Sequence, residues 1–124
     1  MSAYIWNLAA KEPEGKDEGA GAYFEDMVTA GEWIHVVACY DPGDLTDPKA
    51  GVHIYKNGVH RLGPPSPGTL YSHFKIAPRH GSAPVRIGTR DLASFLRGAI
   101  DEVAIYPRVL TSDEILENYT LGTT

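Results

Sequence analysis

Hydrophobic and polar residues alternate along most of the chain in short runs that are separated by turn-forming segments. Alternation with a period of two is typical of β-strands with one buried face. The strand-like runs are residues 3–8, 22–28, 32–40, 52–56, 59–62, 70–76, 85–88 and 95–106. Residues 11–21, rich in glycine and charge, and residues 63–69, rich in proline, are expected to be loops. The pattern predicts a mostly β-protein.

Residues 32–40 are the strongest strand signal. Apolar side chains occupy both alternating sets, with Trp33 and Val37 on one face and Ile34 and Val36 on the other. Such a strand is expected in the centre of a sheet, covered on both sides.

Asn57-Gly58 separates two of the runs and predicts a β-hairpin. A two-residue turn of type I′ needs a positive φ at both positions, which these two residue types tolerate. The register that this turn imposes pairs Lys56 with Val59, Tyr55 with His60 and Ile54 with Arg61.

The run from residue 95 to 106 changes phase in its middle. Ile100 belongs to one alternating set, whereas Val103 and Ile105 belong to the other. Both sets can face the interior only if a residue is inserted, so a bulge or bend is expected near Asp101-Glu102.

One helix is predicted, over residues 112–120. Thr111 and Glu114 have the spacing of a capping box, and Leu110 and Ile115 occupy the two positions of a hydrophobic staple. A helix of this length is marginal alone, so it is expected to dock on the sheets.

Composition narrows the classes of protein. The 124 residues are enough for one domain, and 43% hydrophobic with 22% charged residues is typical of a folded soluble protein. A net charge of −5 and the absence of a basic run argue against nucleic acid as a partner. The chain has no run of about twenty apolar residues, so no membrane span is predicted. Cys39 is the single cysteine, which excludes an internal disulfide and a cysteine-based zinc cage.

Five motifs in series resemble the laminin-G-like domains of the concanavalin A-like superfamily, in matching order from residue 4 to 120. They are WIHVV with Tyr40-Asp41 (33–41), IYKNG (54–58), RIG (86–88), FLRGAIDEVAIY (95–106) and LTSDEI (110–115). The resemblance implies an all-β fold: an antiparallel β-sandwich of the jelly-roll type with one short C-terminal helix. Such domains mainly bind sugars, glycosylated surfaces or other proteins, often in larger secreted proteins.

The resemblance also implies an incomplete domain. The family usually begins with further strands containing a Phe-Asp-Gly-like segment, which the residues before Tyr4 do not supply. Residues 1–124 are therefore expected to be a single laminin-G-like domain that is N-terminally truncated. Missing strands would leave a sheet edge unpaired, which predicts either a homodimer that completes the sandwich or a smaller, rearranged sandwich.

Catalysis is not expected. Glycosidases of the superfamily hold two carboxylates on alternate positions of one strand, so that both enter the same groove. Asp101 and Glu102 are adjacent, as are Glu25 and Asp26, and adjacent strand residues point to opposite faces. Cys39, inside an apolar run, is typical of a core residue.

Two interpretations of Asp101 stay open. The resemblance implies a calcium site in which the aspartate of the Ile-Asp-Glu-Val segment, here Asp101, is a ligand. Alternatively, its carboxylate accepts hydrogen bonds from nearby backbone amides and fixes the bend. Asp41, Asp44 and Asp47 are interpreted as turn formers.

The five histidines are interpreted as scattered surface and loop residues. His53 and His60 lie on paired hairpin strands, but the register makes them diagonal at best. His35 is expected to be structural, with its ring nitrogens hydrogen-bonded within the sheet.

The predicted ligand site is in the long loop region 63–84. Tyr71, His73, Arg79 and His80 offer the aromatic and polar groups that grip a sugar. We therefore expect a non-catalytic module that binds carbohydrate or a glycosylated or protein surface and is secreted or displayed at the cell surface. The alternatives are a purely structural or oligomerisation module and, less favoured, a glycoside hydrolase fragment.

Overall fold

The computed structural model describes residues 1–7, 18–41, 51–61, 69–70, 82, 84–89 and 91–123. Within these residues, six strands precede one helix. They are β1 (Ser2–Asn7), β2 (Glu18–Tyr23), β3 (Val36–Asp41), β4 (Gly51–Lys56), β5 (Val59–Arg61), β6 (Thr69–Leu70) and α1 (Ser112–Gly122). The strands form two antiparallel sheets, here sheet 1, with the order β1-β2-β6, and sheet 2, with the order β3-β4-β5.

The two sheets pack face to face around a common core. Ala22 and Phe24 come from sheet 1 and its continuation, and Val52 and Ile54 come from β4 of sheet 2; all four are buried in one cluster. Alternation on β4 sends Val52 and Ile54 to the same side, so the strand can fill this core with every second residue. The predicted antiparallel sandwich is confirmed.

The helix covers the opposite face of sheet 2. Leu110 and Ile115 form a second buried cluster with Cys39 of β3 and Tyr55 of β4. The predicted docking of the helix and the predicted core position of Cys39 are therefore confirmed.

The predicted capping box is also confirmed. The Thr111 hydroxyl accepts the backbone N–H of Glu114 at 3.2 Å, and the Glu114 carboxylate accepts the backbone N–H of Thr111 at 2.8 Å. These bonds satisfy two donors that a helix start otherwise leaves unpaired. The helix continues two residues beyond the predicted end, to Gly122.

The hairpin has the register that the Asn57-Gly58 turn predicts. Lys56 pairs with Val59, and Tyr55 pairs with His60. Both turn residues have positive φ, 53° at Asn57 and 77° at Gly58.

The prediction for residues 32–40 is partly wrong. The strand begins only at Val36, Trp33 is 68% exposed, and β3 lies at an edge of the described part of sheet 2. The central strand there is β4, whose Ile54 and Tyr55 are buried in different clusters. Two-sided burial is thus provided by β4, because the core of the sandwich lies on one of its faces and the helix on the other.

The prediction of a strand at residues 22–28 is wrong in its boundaries. β2 covers Glu18–Tyr23, so it includes part of the predicted loop and ends where the predicted strand begins. Pairing with β1, from Ser2 opposite Tyr23 to Asn7 opposite Glu18, fixes this position. Ladder formation with a distant strand here overrides the weak β-propensity of a Gly- and Ala-rich segment.

The described residues between 84 and 109 do not form the predicted strands at 85–88 and 95–106. A single bridge joins Thr89 to Phe95, and no residue from 96 to 109 lies in a strand or helix. Alternating apolar residues become a strand only beside a pairing partner, and no described strand pairs with them. The predicted bend is present, since Glu102 has a φ of 52°. The strand predicted at residues 70–76 lies outside the described residues beyond Leu70.

Candidate functional site

The predicted sugar-binding residues lie outside the described part of the chain. This applies to Tyr71, His73, Arg79 and His80. The loop site therefore stays a prediction.

Asp101 lies on the surface at the bend. Its carboxylate accepts the backbone N–H of Glu102 at 2.9 Å, as the structural interpretation of this residue expects. Within the described ranges, no group of three or more His, Cys, Asp or Glu side chains is placed to hold a metal ion. Calcium prefers six to eight oxygen ligands, so Asp101 would need further ligands to hold it. The calcium prediction depends on residues outside the described ranges.

A shallow depression lies on the outer face of sheet 1. It is lined by Met1, Ser2, Tyr4, Tyr23, Phe24 and Glu25. Alternation along β1 places Ala3 and Ile5 against the sandwich core, so Ser2 and Tyr4 face outward. The β1–β2 register sets Tyr23 directly opposite Ser2. We call Ser2, Tyr4, Tyr23 and Glu25 the tyrosine face.

The tyrosine face combines aromatic and polar groups. Tyr4 is 48% exposed, and its phenol oxygen accepts a hydrogen bond from the Ser2 hydroxyl at 2.9 Å. Glu25 adds an exposed carboxylate at the rim. A ring that offers an apolar surface beside several hydroxyl and carboxylate groups is suited to a sugar, which has an apolar C–H face and a polar edge. The sequence signal for this site is the alternation along β1, which separates Ser2 and Tyr4 from the core-facing Ala3 and Ile5. The strand prediction for residues 3–8 does not say which of its two faces is buried.

A second cluster lies on sheet 2 beside the helix. His53 Nδ1 is 3.2 Å from His60 Nε2, and the ring of His60 lies 4.8 Å from the ring of Tyr55. The hairpin register explains this, because Tyr55 is opposite His60 and His53 is two residues from Tyr55 on the same face. Partial burial, and then the nearby His53, lower the pKa of His60. The diagonal placement is confirmed, but the interpretation of these two histidines as scattered is wrong.

The side chain of His35 differs from its prediction. Its Nδ1 is buried and has no hydrogen-bond partner among the described residues, so the expectation that both ring nitrogens are hydrogen-bonded is wrong. The ring lies 6.0 Å from that of Tyr119 on the helix. His35 is therefore placed by ring packing and by its backbone.

Asp26 joins the end of sheet 1 to sheet 2. Its carboxylate binds the Arg61 guanidinium and lies 3.7 Å from Lys56 Nζ, which also donates to the Met27 carbonyl at 3.1 Å. The hydrogen bond from Arg61 lowers the pKa of Asp26. This carboxylate is consequently held in its charged form by a structural contact.

Two antiparallel sheets packed face to face, with a helix on the outer face of one, define the chain as an all-β sandwich. A laminin G family model described as "Concanavalin A-like lectin/glucanases superfamily" matches residues 6–116. The chain belongs to this family. Searches of curated proteins and of solved structures each found no match to the chain. In the described residues, no helix has the length and apolar character that crossing a membrane requires.

Proposed function

We propose that this chain is a non-catalytic carbohydrate-binding module of a larger extracellular protein. The observation that carries the proposal is the tyrosine face, found on a sandwich of a superfamily that includes lectins. The family match favours a binding role over a catalytic one, since laminin-G-like domains are generally non-catalytic. It also favours an extracellular location, which is typical of these domains.

The acidic pairs support a non-catalytic role. A retaining glycosidase needs two carboxylates about 5 Å apart in one groove, one of them with a raised pKa so that it can donate a proton. Asp26 is instead bound to Arg61, with a lowered pKa, and Asp101 accepts a hydrogen bond from its own neighbour in the chain. Asp26 is therefore not prepared to act as a general acid, and the Asp101 carboxylate has a structural contact with the backbone.

The tyrosine face favours a neutral sugar. A pyranose can stack its C–H face on Tyr4 and direct its hydroxyls toward Ser2, Tyr23 and Glu25. An acidic sugar would meet the carboxylate of Glu25 on a chain whose net charge is −5, which is unfavourable.

A glycan array followed by calorimetric titration with neutral oligosaccharides tests this proposal. Tyr4→Ala is expected to abolish the binding, whereas Tyr106→Ala, which removes an equally exposed tyrosine elsewhere, is the matched control. If Tyr71→Ala or Arg79→Ala abolishes the binding and Tyr4→Ala does not, the sugar site is in the loop instead. Absence of sugar binding at millimolar concentration contradicts the proposed function.

An assembly role is the second candidate, and the exposed apolar side chains of residues 84–109 favour it. They include Val85, Ile87, Phe95, Leu96, Ile100, Val103, Ile105, Tyr106 and Val109. A segment with alternating exposed apolar residues can add as a strand to the sheet edge of a second copy, which would bury those side chains.

Light scattering after size-exclusion chromatography tests the assembly role. A homodimer that dissociates in Ile105→Lys, but not in the exposed control Thr29→Lys, supports it. A monomeric wild-type chain at high micromolar concentration contradicts it.

A further inference from the structure

We propose that His53 and His60 form a two-histidine site for a divalent transition metal ion such as Zn²⁺. The proposal is independent of sugar binding. It rests on the separation of 3.2 Å between His53 Nδ1 and His60 Nε2 on neighbouring strands.

The separation matches the geometry of coordination. Two imidazole nitrogens that each lie about 2.05 Å from a tetrahedral Zn²⁺ are about 3.3 Å apart. The pair therefore needs no change in backbone register to hold the ion, only a small rotation of the two rings. The ring planes are inclined by 51°, with centroids 5.1 Å apart, so the rings are not stacked on each other.

The strands fix the spacing of the two histidines. β4 and β5 are joined by the two-residue Asn57-Gly58 turn, and Tyr55 lies opposite His60 in the ladder. The ring of Tyr55 packs on His60 at 4.8 Å, and its hydroxyl lies 3.4 Å from the Ser112 hydroxyl of α1. A short hairpin backed by a buried aromatic residue thus positions both ligands before a metal ion arrives, which reduces the entropy lost on binding.

The protonation state is compatible with a metal ligand. Metal ions bind the neutral imidazole through a ring-nitrogen lone pair. The two facing nitrogens share one hydrogen bond, so one proton lies between them in the neutral pair. When the ion enters, that proton moves to the other nitrogen of the same ring, and both facing lone pairs become ligands.

The remaining positions would be filled by water or by a group from a bound molecule. His60 is exposed and His53 half-buried, so the pair reaches the surface. No third histidine, cysteine or carboxylate in the described ranges completes a metal cluster with them. Because affinity for nitrogen ligands follows the Irving–Williams order, Cu²⁺ is expected to bind more tightly than Zn²⁺.

Calorimetric titration of the tag-free chain with ZnCl₂ tests the proposal. One Zn²⁺ is expected to bind per chain. Loss of an outer hydrogen-bond partner of a metal ligand costs about 10- to 100-fold in affinity, so His53→Gln and His60→Gln should each weaken binding by at least about tenfold. His73→Gln and His80→Gln test the alternative that the ion binds to other histidines.

A measurement on the unaltered chain guards against variants that fail to fold. Imidazole signals in ¹H–¹⁵N NMR spectra should show that Zn²⁺ shifts the Nδ1 resonance of His53 and the Nε2 resonance of His60 together. Unchanged Zn²⁺ affinity in both His53→Gln and His60→Gln would overturn the proposal. So would NMR shifts confined to other histidines, or loss of binding in the His73 and His80 variants alone.

Discussion

Asn57 and His35 hold each other through two hydrogen bonds, one from each backbone. The backbone N–H of His35 donates to Asn57 Oδ1 at 2.9 Å, and the backbone N–H of Asn57 donates to the His35 carbonyl at 2.8 Å. The turn of the hairpin is therefore attached to the segment that enters β3. Asn57 has two roles: it adopts the left-handed conformation of the turn, and its side chain makes this attachment.

Asn57→Ala is expected to destabilise the fold by about 2–3 kcal/mol, because it removes a part-buried hydrogen bond and places alanine at a φ of 53°. Asn57→Gly tolerates the positive φ and loses only the hydrogen bond from the His35 N–H, so the free energy of unfolding should fall by about 1 kcal/mol. Asn57→Asp keeps an acceptor and should be the mildest of the three variants. Urea unfolding followed by circular dichroism measures all three, and an Ala variant no weaker than the Gly variant would contradict this account.

Gly58→Ala tests the contact between the hairpin and the helix. An added Cβ would lie 2.8 Å from Leu116 Cδ1 and 3.3 Å from Leu116 Cα, at a φ of 77°. Gly31→Ala is the matched control, since Gly31 has a φ of 85° but no atom within 4 Å of an added Cβ. Both should lose about 1–2 kcal/mol through backbone strain, and Gly58→Ala should lose more because the Leu116 side chain must move and its backbone is in tight contact. Equal losses in free energy of unfolding would show that the helix does not touch the turn.

The salt bridge at the helix start predicts a loss of stability in acid. Two hydrogen bonds from Arg108, at 2.6 and 2.8 Å, and then the Thr111 amide lower the pKa of Glu114 from 4.5 to about 2. The unfolded chain therefore takes up the proton first as the pH falls. The stability that the charged Glu114 gives to the folded state is complete above pH 4.5 and is lost progressively down to about pH 2.

Thermal unfolding of Glu114→Gln between pH 7 and pH 2 measures that contribution. The variant should be less stable than the wild type at pH 7, and the difference should shrink toward pH 2. Glu117→Gln makes the same charge change on the same helix and should leave the acid-induced loss in place. A constant difference between Glu114→Gln and the wild type across this range would rule out the Arg108–Glu114 contact as its source.

Ile115 is expected to contribute most of the helix docking energy. Its side chain is 0% exposed between Cys39, Tyr55 and Leu110, so Ile115→Ala should destabilise by about 2–5 kcal/mol. Leu121→Ala, at a position that is 66% exposed, should change the free energy of unfolding by less than about 0.5 kcal/mol. Guanidinium unfolding of the two variants separates these outcomes, and a loss at Ile115 as small as that at Leu121 would mean that the helix does not dock.

The elements that the sequence predicted well are those fixed by local chemistry. Asn57-Gly58 determines its hairpin register because few residue pairs accept positive φ at both positions. Thr111 and Glu114 determine the helix start because the side chain of each accepts a hydrogen bond from the backbone N–H of the other. Both signals act within a few residues and need no knowledge of distant segments.

The elements that the sequence predicted poorly depend on pairing between distant strands. Glu18–Tyr23 forms a strand because β1 lies beside it, although its own side chains have little β-propensity. Residues 95–106 have the reverse property, with strong alternation but no described strand beside them. The tyrosine face depends on the register of β1 with β2, which the sequence did not predict. The register of β4 with β5 was predicted, but it gives only a diagonal placement of His53 and His60, and the 3.2 Å separation depends on how their side chains are oriented.

The peptide bond between Ile54 and Tyr55 connects two neighbouring side chains that serve different hydrophobic clusters. Detachment of the helix and separation of the sheets both expose a side chain of the same short stretch, so neither can proceed far without disturbing the other. The amide hydrogens of residues 52–55 should accordingly be among the slowest in the chain to exchange with deuterium, and they should exchange together with the global unfolding of the sandwich.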